Sequence, residues 1–226
     1  MRALAFVVAA AQDAALRHAN ADERHRKQSF VDLMTPVVKG WLSETGNEIA
    51  YLGVQVHGGM GFIEETGAAQ YMRDARITTI YEGTTGIQAQ DLIGRKVVRD
   101  GGTAIRALFT EMRTCEVALR AVSTNDTFSA IAAALDQGIT AAEHAVDYII
   151  SEYAGNVRVA AAGSVPFLRL MGIVCGGWQM GRAALAAQVR INGGDADPFL
   201  AAKIVTTRFY IDHVLSAALG LAHTVI

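Results

Sequence analysis

Three prolines and two cysteines are all that 226 residues hold of the two residue types that most constrain a backbone. So little proline removes the commonest interruption of long helices. Cys115 and Cys175 stand far apart between apolar neighbours, which predicts buried free thiols rather than a disulfide framework. Charge of one sign is also lacking. Lys and Arg number 20 against 22 Asp and Glu, so a net charge of −2 gives no broad attraction for nucleic acid or an acidic membrane. The six histidines are scattered, none in a spacing such as H-E-x-x-H, and no metal site is expected. No uncharged run is long enough to span a bilayer. The apolar start, Met1 to Leu16, is broken by Arg2, Gln12 and Asp13 and has neither a basic leader nor a small-residue cleavage site. It reads as a buried amphipathic helix of a soluble, cytoplasmic protein.

What remains is apolar and helical. A hydrophobic content of 51% is ample for a buried core, and alternating polar and apolar stretches are few, so the fold class is all-α. A first helix covers about Met1 to Asn20, with Leu4, Val7, Val8, Ala11 and Ala15 on one face. The polar run Asn20 to Gln28 is expected to break or hydrate the chain. A second long helix is predicted from about Phe30 to His57, with a kink at Pro36 or a late start near Thr35. It ends at Gly58-Gly59. Residues 58 to 67 read as a glycine-rich loop, and about Ala68 to Arg76 as a short helix. Ile77 to Gly83 has strand propensity but no partner strand, so an extended loop is expected. The next helix opens at Thr84 or Thr85, with Gln88 completing a capping box from Thr85, and ends near Asp100.

Past Gly101-Gly102 the pattern predicts helices over about 103–122, 126–153, 166–191 and 198–223, with Asp197-Pro198 as N-cap and first helical residue. Short polar connections make this an antiparallel bundle. The composition shift divides the chain into residues 1–101 and 102–226. Met171, Cys175, Trp178 and Met180 read as core.

Chemistry concentrates in residues 55 to 88. Gln55-Val56-His57-Gly58-Gly59-Met60-Gly61 is a helix end followed by backbone with little side-chain cover, which lets a ligand come close. Met72-Arg73-Asp74-Ala75-Arg76 reads as an ion-paired segment, and Glu64 and Glu65 as solvated carboxylates. Tyr81-Glu82-Gly83-Thr84-Thr85-Gly86-Ile87-Gln88 sets a carboxylate just before a helix N-terminus, where N–H groups and hydroxyls can receive a phosphate. On local sequence alone, Glu82 is either a carboxylate favoured by the helix dipole or a catalytic base.

Together the three segments resemble the acyl-CoA dehydrogenase family, whose C-terminal bundle carries Q-x-x-G-G-x-G, then R-D-A-R/K, then I-Y-E-G-T-x-x-I-Q in this order. The likeness is strong over about residues 30 to 98 and weak over 1 to 20. The extension after Gly102 resembles that of the larger members similar to 3-(methylthio)propanoyl-CoA dehydrogenase. The resemblance implies α,β-dehydrogenation of an acyl-CoA thioester with FAD, and electron-transferring flavoprotein as acceptor. It implies that Glu82 is the base that removes the α-proton, with its own amide helping to hold the thioester oxygen, and that Gly83 admits the substrate. It further implies that Gln55, Val56, His57, Gly58 and Gly59 meet the adenosine side of FAD across a subunit boundary, and that Thr84 and Gly86 touch it near its pyrophosphate or adenine end. A homodimer or higher homo-oligomer follows.

The family pattern is incomplete in these residues. The resemblance finds no counterpart of the family's N-terminal helical domain, of its β-barrel-like middle domain, or of the first helix of the bundle. Met1 is therefore read as an internal start, and the chain alone is expected to lack activity. An oxidase of the same fold, or a helical packing and oligomerisation module, are the alternative readings.

Overall fold

In the computed structural model, which describes residues 1–122 and 126–226, every regular element is a helix. Helix α1 (Arg2–Arg17) turns Leu4 and Ala11 inward against α2 (Ala21–Val56). The polar stretch expected to interrupt the chain instead begins α2. Asn20 caps it, its side-chain oxygen accepting from the amides of Asp22 at 2.7 Å and Glu23 at 3.1 Å. Arg26 pairs with Glu23 and with Glu111 of a distant helix. Pro36 neither interrupts nor delays α2; the helix starts at Ala21 and runs through it. A proline inside a helix costs about 3 kcal/mol. Val31, Leu33, Met34, Val37 and Trp41, buried on both sides of it, each contribute roughly 1.5–3 kcal/mol and outweigh that cost.

All the buried residues of α2 fall between Val31 and Trp41. Its last four turns carry Ile49, Tyr51, Leu52 and Val56 exposed. The glycine-rich segment after them is wound rather than open: α3 (Gly59–Phe62) and a 3-10 turn (Glu64–Thr66) lead into α4 (Ala68–Arg76). Nor is the following stretch extended. A second 3-10 turn covers Ile77–Thr79, and the amides of Ile80 and Tyr81 both donate to the Ile77 carbonyl, at 3.0 and 3.1 Å. Without a neighbouring strand, local closure is the way these peptide groups find partners.

Helix α5 (Thr85–Asp91) widens into a π-helical stretch, Leu92–Val98, that buries Leu92, Ile93 and Val97. Then come α6 (Thr103–Arg120), α7 (Asp126–Gly155), the short α8 (Val157–Ala162), α9 (Ser164–Asn192) and α10 (Pro198–Tyr210). What reads as one last helix has a π-helical stretch at Ile211–Leu215 before α11 (Ala217–Val225). Asp197 caps α10 by accepting from the Phe199 amide, with Pro198 first in the helix.

Helix α9 is apolar nearly all round because it is the shared centre. It packs against α2, α5, α6, α7, α10 and α11. A Cβ at Gly172 would overlap the Trp41 indole, and one at Gly177 would meet Leu215 at 3.1 Å, so small residues set how closely these helices approach. The buried core is continuous from Leu33 and Trp41 on α2, through Phe167 and Met171 on α9, to Ile139 on α7 and Leu215. Cys115 and Cys175 are free and buried; burial pushes their thiols up to about 11 and about 12. Met171, Cys175 and Trp178 lie in this core. No described helix is long and apolar enough to cross a membrane.

Candidate active site

The turn Tyr81-Glu82-Gly83 sits between the Ile77–Thr79 turn and the first residue of α5. Glu82 has φ +54°, the only non-glycine residue among those described with positive φ, and Gly83 follows at +95°. A left-handed non-glycine residue costs on the order of 1–3 kcal/mol and persists only where its surroundings hold it. The holding contacts come from one side of α2. Lys39 Nζ donates to the carbonyls of Thr78 at 3.0 Å and Gly83 at 2.5 Å. Asn47 Nδ2 donates to the Ala75 carbonyl at 3.0 Å, and Glu44 accepts the Thr85 hydroxyl. From the far side, Gln88 Nε2 donates to the Glu82 carbonyl at 3.3 Å.

That last contact replaces the capping box expected between Thr85 and Gln88. Thr84 is the N-cap, its hydroxyl accepting from the Ile87 amide at 3.4 Å, while the Gln88 amide is turned back to the loop. Glu82 and Thr84 are exposed, and Gly83 and Gly86 half-exposed. The φ of Gly83 favours glycine, and a Cβ there would also push aside Gln88 Nε2, 2.8 Å away, which holds the Glu82 carbonyl. Gly86 has no such constraint: nothing lies within 4 Å of where its Cβ would be, and its φ is ordinary.

Gln55, Val56, His57, Gly58 and Gly59 stand apart from this turn, all exposed at the end of α2. From Glu44 to Gln55 the helix rises about 16 Å at 1.5 Å per residue. His57 Nδ1 lies 2.8 Å from the Gly53 carbonyl, which ties the ring to its own helix. Gly58 has φ +60°, and a Cβ at Gly61 would strike the Val54 carbonyl, so the fold explains both. Gly59 has open space where a side chain would go. Between the two groups a groove of about 660 Å³ is lined by Asn47, Tyr51, Leu52, Met72, Arg73 and Arg76. Arg73 pairs with Glu64 at 2.6 Å, so Glu64 is an ion-pair partner and not merely a solvated carboxylate. Asp74 accepts from Gln70. Among the described residues no cluster of His, Cys, Asp or Glu is placed to hold a metal ion.

Lys39, Glu44 and Asn47 escaped the motif reading. Their spacing puts them on one side of a helix, but that face is indistinguishable from a solvated one until the distant turn is seen to fold onto it.

Comparison with known proteins gives the family. The family profile described as "Acyl-CoA dehydrogenase, C-terminal domain" matches residues 2–97, and that described as "Acetyl-CoA dehydrogenase C-terminal like" matches residues 108–226. The chain belongs to the acyl-CoA dehydrogenase family, a family of oxidoreductases. It is 45% identical over 215 residues to 3-methylmercaptopropionyl-CoA dehydrogenase of Ruegeria pomeroyi, covering 95% of this chain and 36% of that protein. It is 33% identical to a broad-specificity linear acyl-CoA dehydrogenase of Mycobacterium tuberculosis, covering 95% of the chain and 36% of that relative. A butyryl-CoA dehydrogenase of Syntrophomonas wolfei is 27% identical, with 89% and 33% covered. The chain thus spans about a third of the length of the curated relatives it matches.

Proposed function

We propose that these residues form the C-terminal part of an FAD-dependent acyl-CoA dehydrogenase in which Glu82 is the base. The observation that carries the reading is the Glu82 turn: a carboxylate held at positive φ by contacts from α2 and α5, in a chain of this family. The α-proton of a thioester is too weakly acidic for a carboxylate free in water. In this reading Glu82 must be covered on substrate binding and aimed at the α-carbon, and its own amide N–H would hold the thioester oxygen. Gly83 keeps the approach to that amide free of a side chain.

The residues present also suit the cofactor. Gly59 and Gly86 are glycines that packing does not demand, and both lie where a ligand can reach the backbone. Gln55 to Gly59 would receive the adenosine side of FAD, and Thr84 and Gly86 its pyrophosphate or adenine end. The chemistry FAD supplies is hydride acceptance from the β-carbon. An acyl-CoA is the substrate and electron-transferring flavoprotein the acceptor in this reading, in a cytoplasmic enzyme.

Glu82, Thr84 and Gln55 are all exposed, and in this reading these residues supply only part of an FAD site. The purified chain is expected to carry no stoichiometric FAD. Absorbance after gel filtration in the presence of FAD checks this; a flavin band near one equivalent would contradict it.

Self-association is expected as well. Val56, Phe62 and Tyr71 are 86%, 81% and 75% exposed and lie with Leu52 and Met60 on the α2 end, α3 and α4, which pack together. An apolar surface of this kind is seldom left in water, and a dimer covering it would bring a second copy against the Gln55–Gly59 segment. Sedimentation should show association that rises with concentration and is weakened by Phe62→Glu. A monomer at every concentration would count against it.

A further inference from the structure

Lys39 is half-buried in the middle of α2, and among the described residues its ammonium has no carboxylate partner. Two of its donors go to backbone carbonyls five residues apart, those of Thr78 and Gly83, and it lies 5.9 Å from the centre of the Tyr81 ring. One side chain therefore closes the loop from Thr78 to Gly83 into a ring, with Glu82 inside it. We propose that Lys39 is the positioning residue that holds Glu82 in its left-handed conformation and thereby aims the carboxylate. This rests on the assignment of Glu82 as base, and it concerns a residue outside the three motifs.

The physical argument is that the conformation is opposed locally and must be enforced from outside the loop. Gln88 reaches only the Glu82 carbonyl, and Thr85 is fixed to Glu44 beyond the turn. The Gly83 carbonyl has Lys39 as its partner, and a charged donor makes the stronger hydrogen bond. Without the ammonium, the Thr78 and Gly83 carbonyls are freed, and the 80–84 backbone can relax toward conformations that point Glu82 elsewhere. Misplacing a reacting group by an ångström costs about 10²-fold in rate. Substrate and flavin contacts outside the loop would be retained.

The first test uses the chain as it is. Lys39→Met keeps the apolar stem and removes the charge, and should speed amide hydrogen exchange in a peptide spanning 80–86 while leaving the remainder of α2 protected. The second test uses a chimaera in which these residues replace the matching third of the Ruegeria pomeroyi relative. There Lys39→Met should lower kcat about 10- to 100-fold, with KM and flavin content nearly unchanged. Lys39→Cys should behave likewise, and aminoethylation of the new thiol, which rebuilds an ammonium at almost the same reach, should restore most of the activity. Within these residues Cys115 and Cys175 are buried with raised thiol pKa values, so the reagent modifies position 39 before them, and the Lys39 chimaera treated alike shows any effect of thiols elsewhere. Unchanged exchange in Lys39→Met, or an aminoethylated enzyme no better than Lys39→Cys, overturns the proposal. Glu82→Gln in the same chimaera separates the two failures. An active Glu82→Gln enzyme sinks the base assignment, whereas an inactive one beside a fully active Lys39→Met enzyme sinks only the positioning role.

Discussion

Glu82→Gln in the chimaeric enzyme should lower turnover by roughly 10² to 10⁴-fold or more, the range for losing an essential acid–base group with its positioning. The substitution keeps the shape and a carbonyl acceptor, but an amide does not take a proton from carbon at neutral pH. Flavin content should be unchanged, because none of Gln55, Val56, His57, Gly58, Gly59, Thr84 and Gly86 depends on the Glu82 carboxylate for its place. The backbone of the turn is held through carbonyls, by Lys39 on Gly83 and Gln88 on Glu82, and not through that carboxylate. Acyl-CoA should therefore still bind. Glu65→Gln is the matched control. Glu64 is unsuited to that purpose because it pairs with Arg73, and its loss would disturb α4. The decisive measurement is the rate of flavin reduction by an acyl-CoA in a single turnover, which isolates the chemical step from release. If Glu82→Gln kept more than a modest fraction of that rate, another carboxylate would be the base, and the reading of Tyr81-Glu82-Gly83-Thr84 would be wrong.

The features legible in the sequence were those decided within a few residues. The helices α4, α6, α7 and α9 follow from apolar spacing, several of their ends from glycine or Asn192, and the start of α10 from the Asp197-Pro198 pair. The Glu82 motif could be found because its residues are contiguous. What escaped was decided by partners far along the chain. The polar residues 21–28 form helix because Asn20 caps them and Arg26 reaches Glu111, 85 residues away. Pro36 is tolerated because its neighbours are buried where α1, α5 and α9 pack along α2. The 77–83 segment curls rather than extends because its carbonyls find Lys39. A lysine on a helix and a glutamine after a threonine carry no local mark of such duties, and the capping-box pattern at Thr85 and Gln88 pointed to a partner that Gln88 does not use.

Trp41 and Gly172 provide the second large effect, on stability. They join the segment that carries the motifs to the helical extension, and the Trp41 indole occupies the space a Cβ at Gly172 would need. Neither can yield cheaply, since Trp41 is 7% exposed and Gly172 lies in the fully helical centre of α9. Gly172→Ala should destabilise the chain by about 1–3 kcal/mol or more, as overpacking does, despite the gain in helix propensity. Gly46→Ala on α2 is the contrast: nothing lies within 4 Å of its Cβ position, so propensity alone should stabilise by about 0.5–1 kcal/mol. Chemical denaturation followed by far-ultraviolet circular dichroism reads both. Because the core is continuous from α2 through α9 to Leu215, Gly172→Ala should shift a single transition that includes the motif segment. Two separate transitions, with only the one assigned to residues 102–226 displaced, would show that the extension stands as an independent unit. Trp41→Leu should relieve part of the Gly172→Ala penalty, so the double variant should lose less than the two single losses together. Strict additivity would mean that the indole is not what resists the added methyl group.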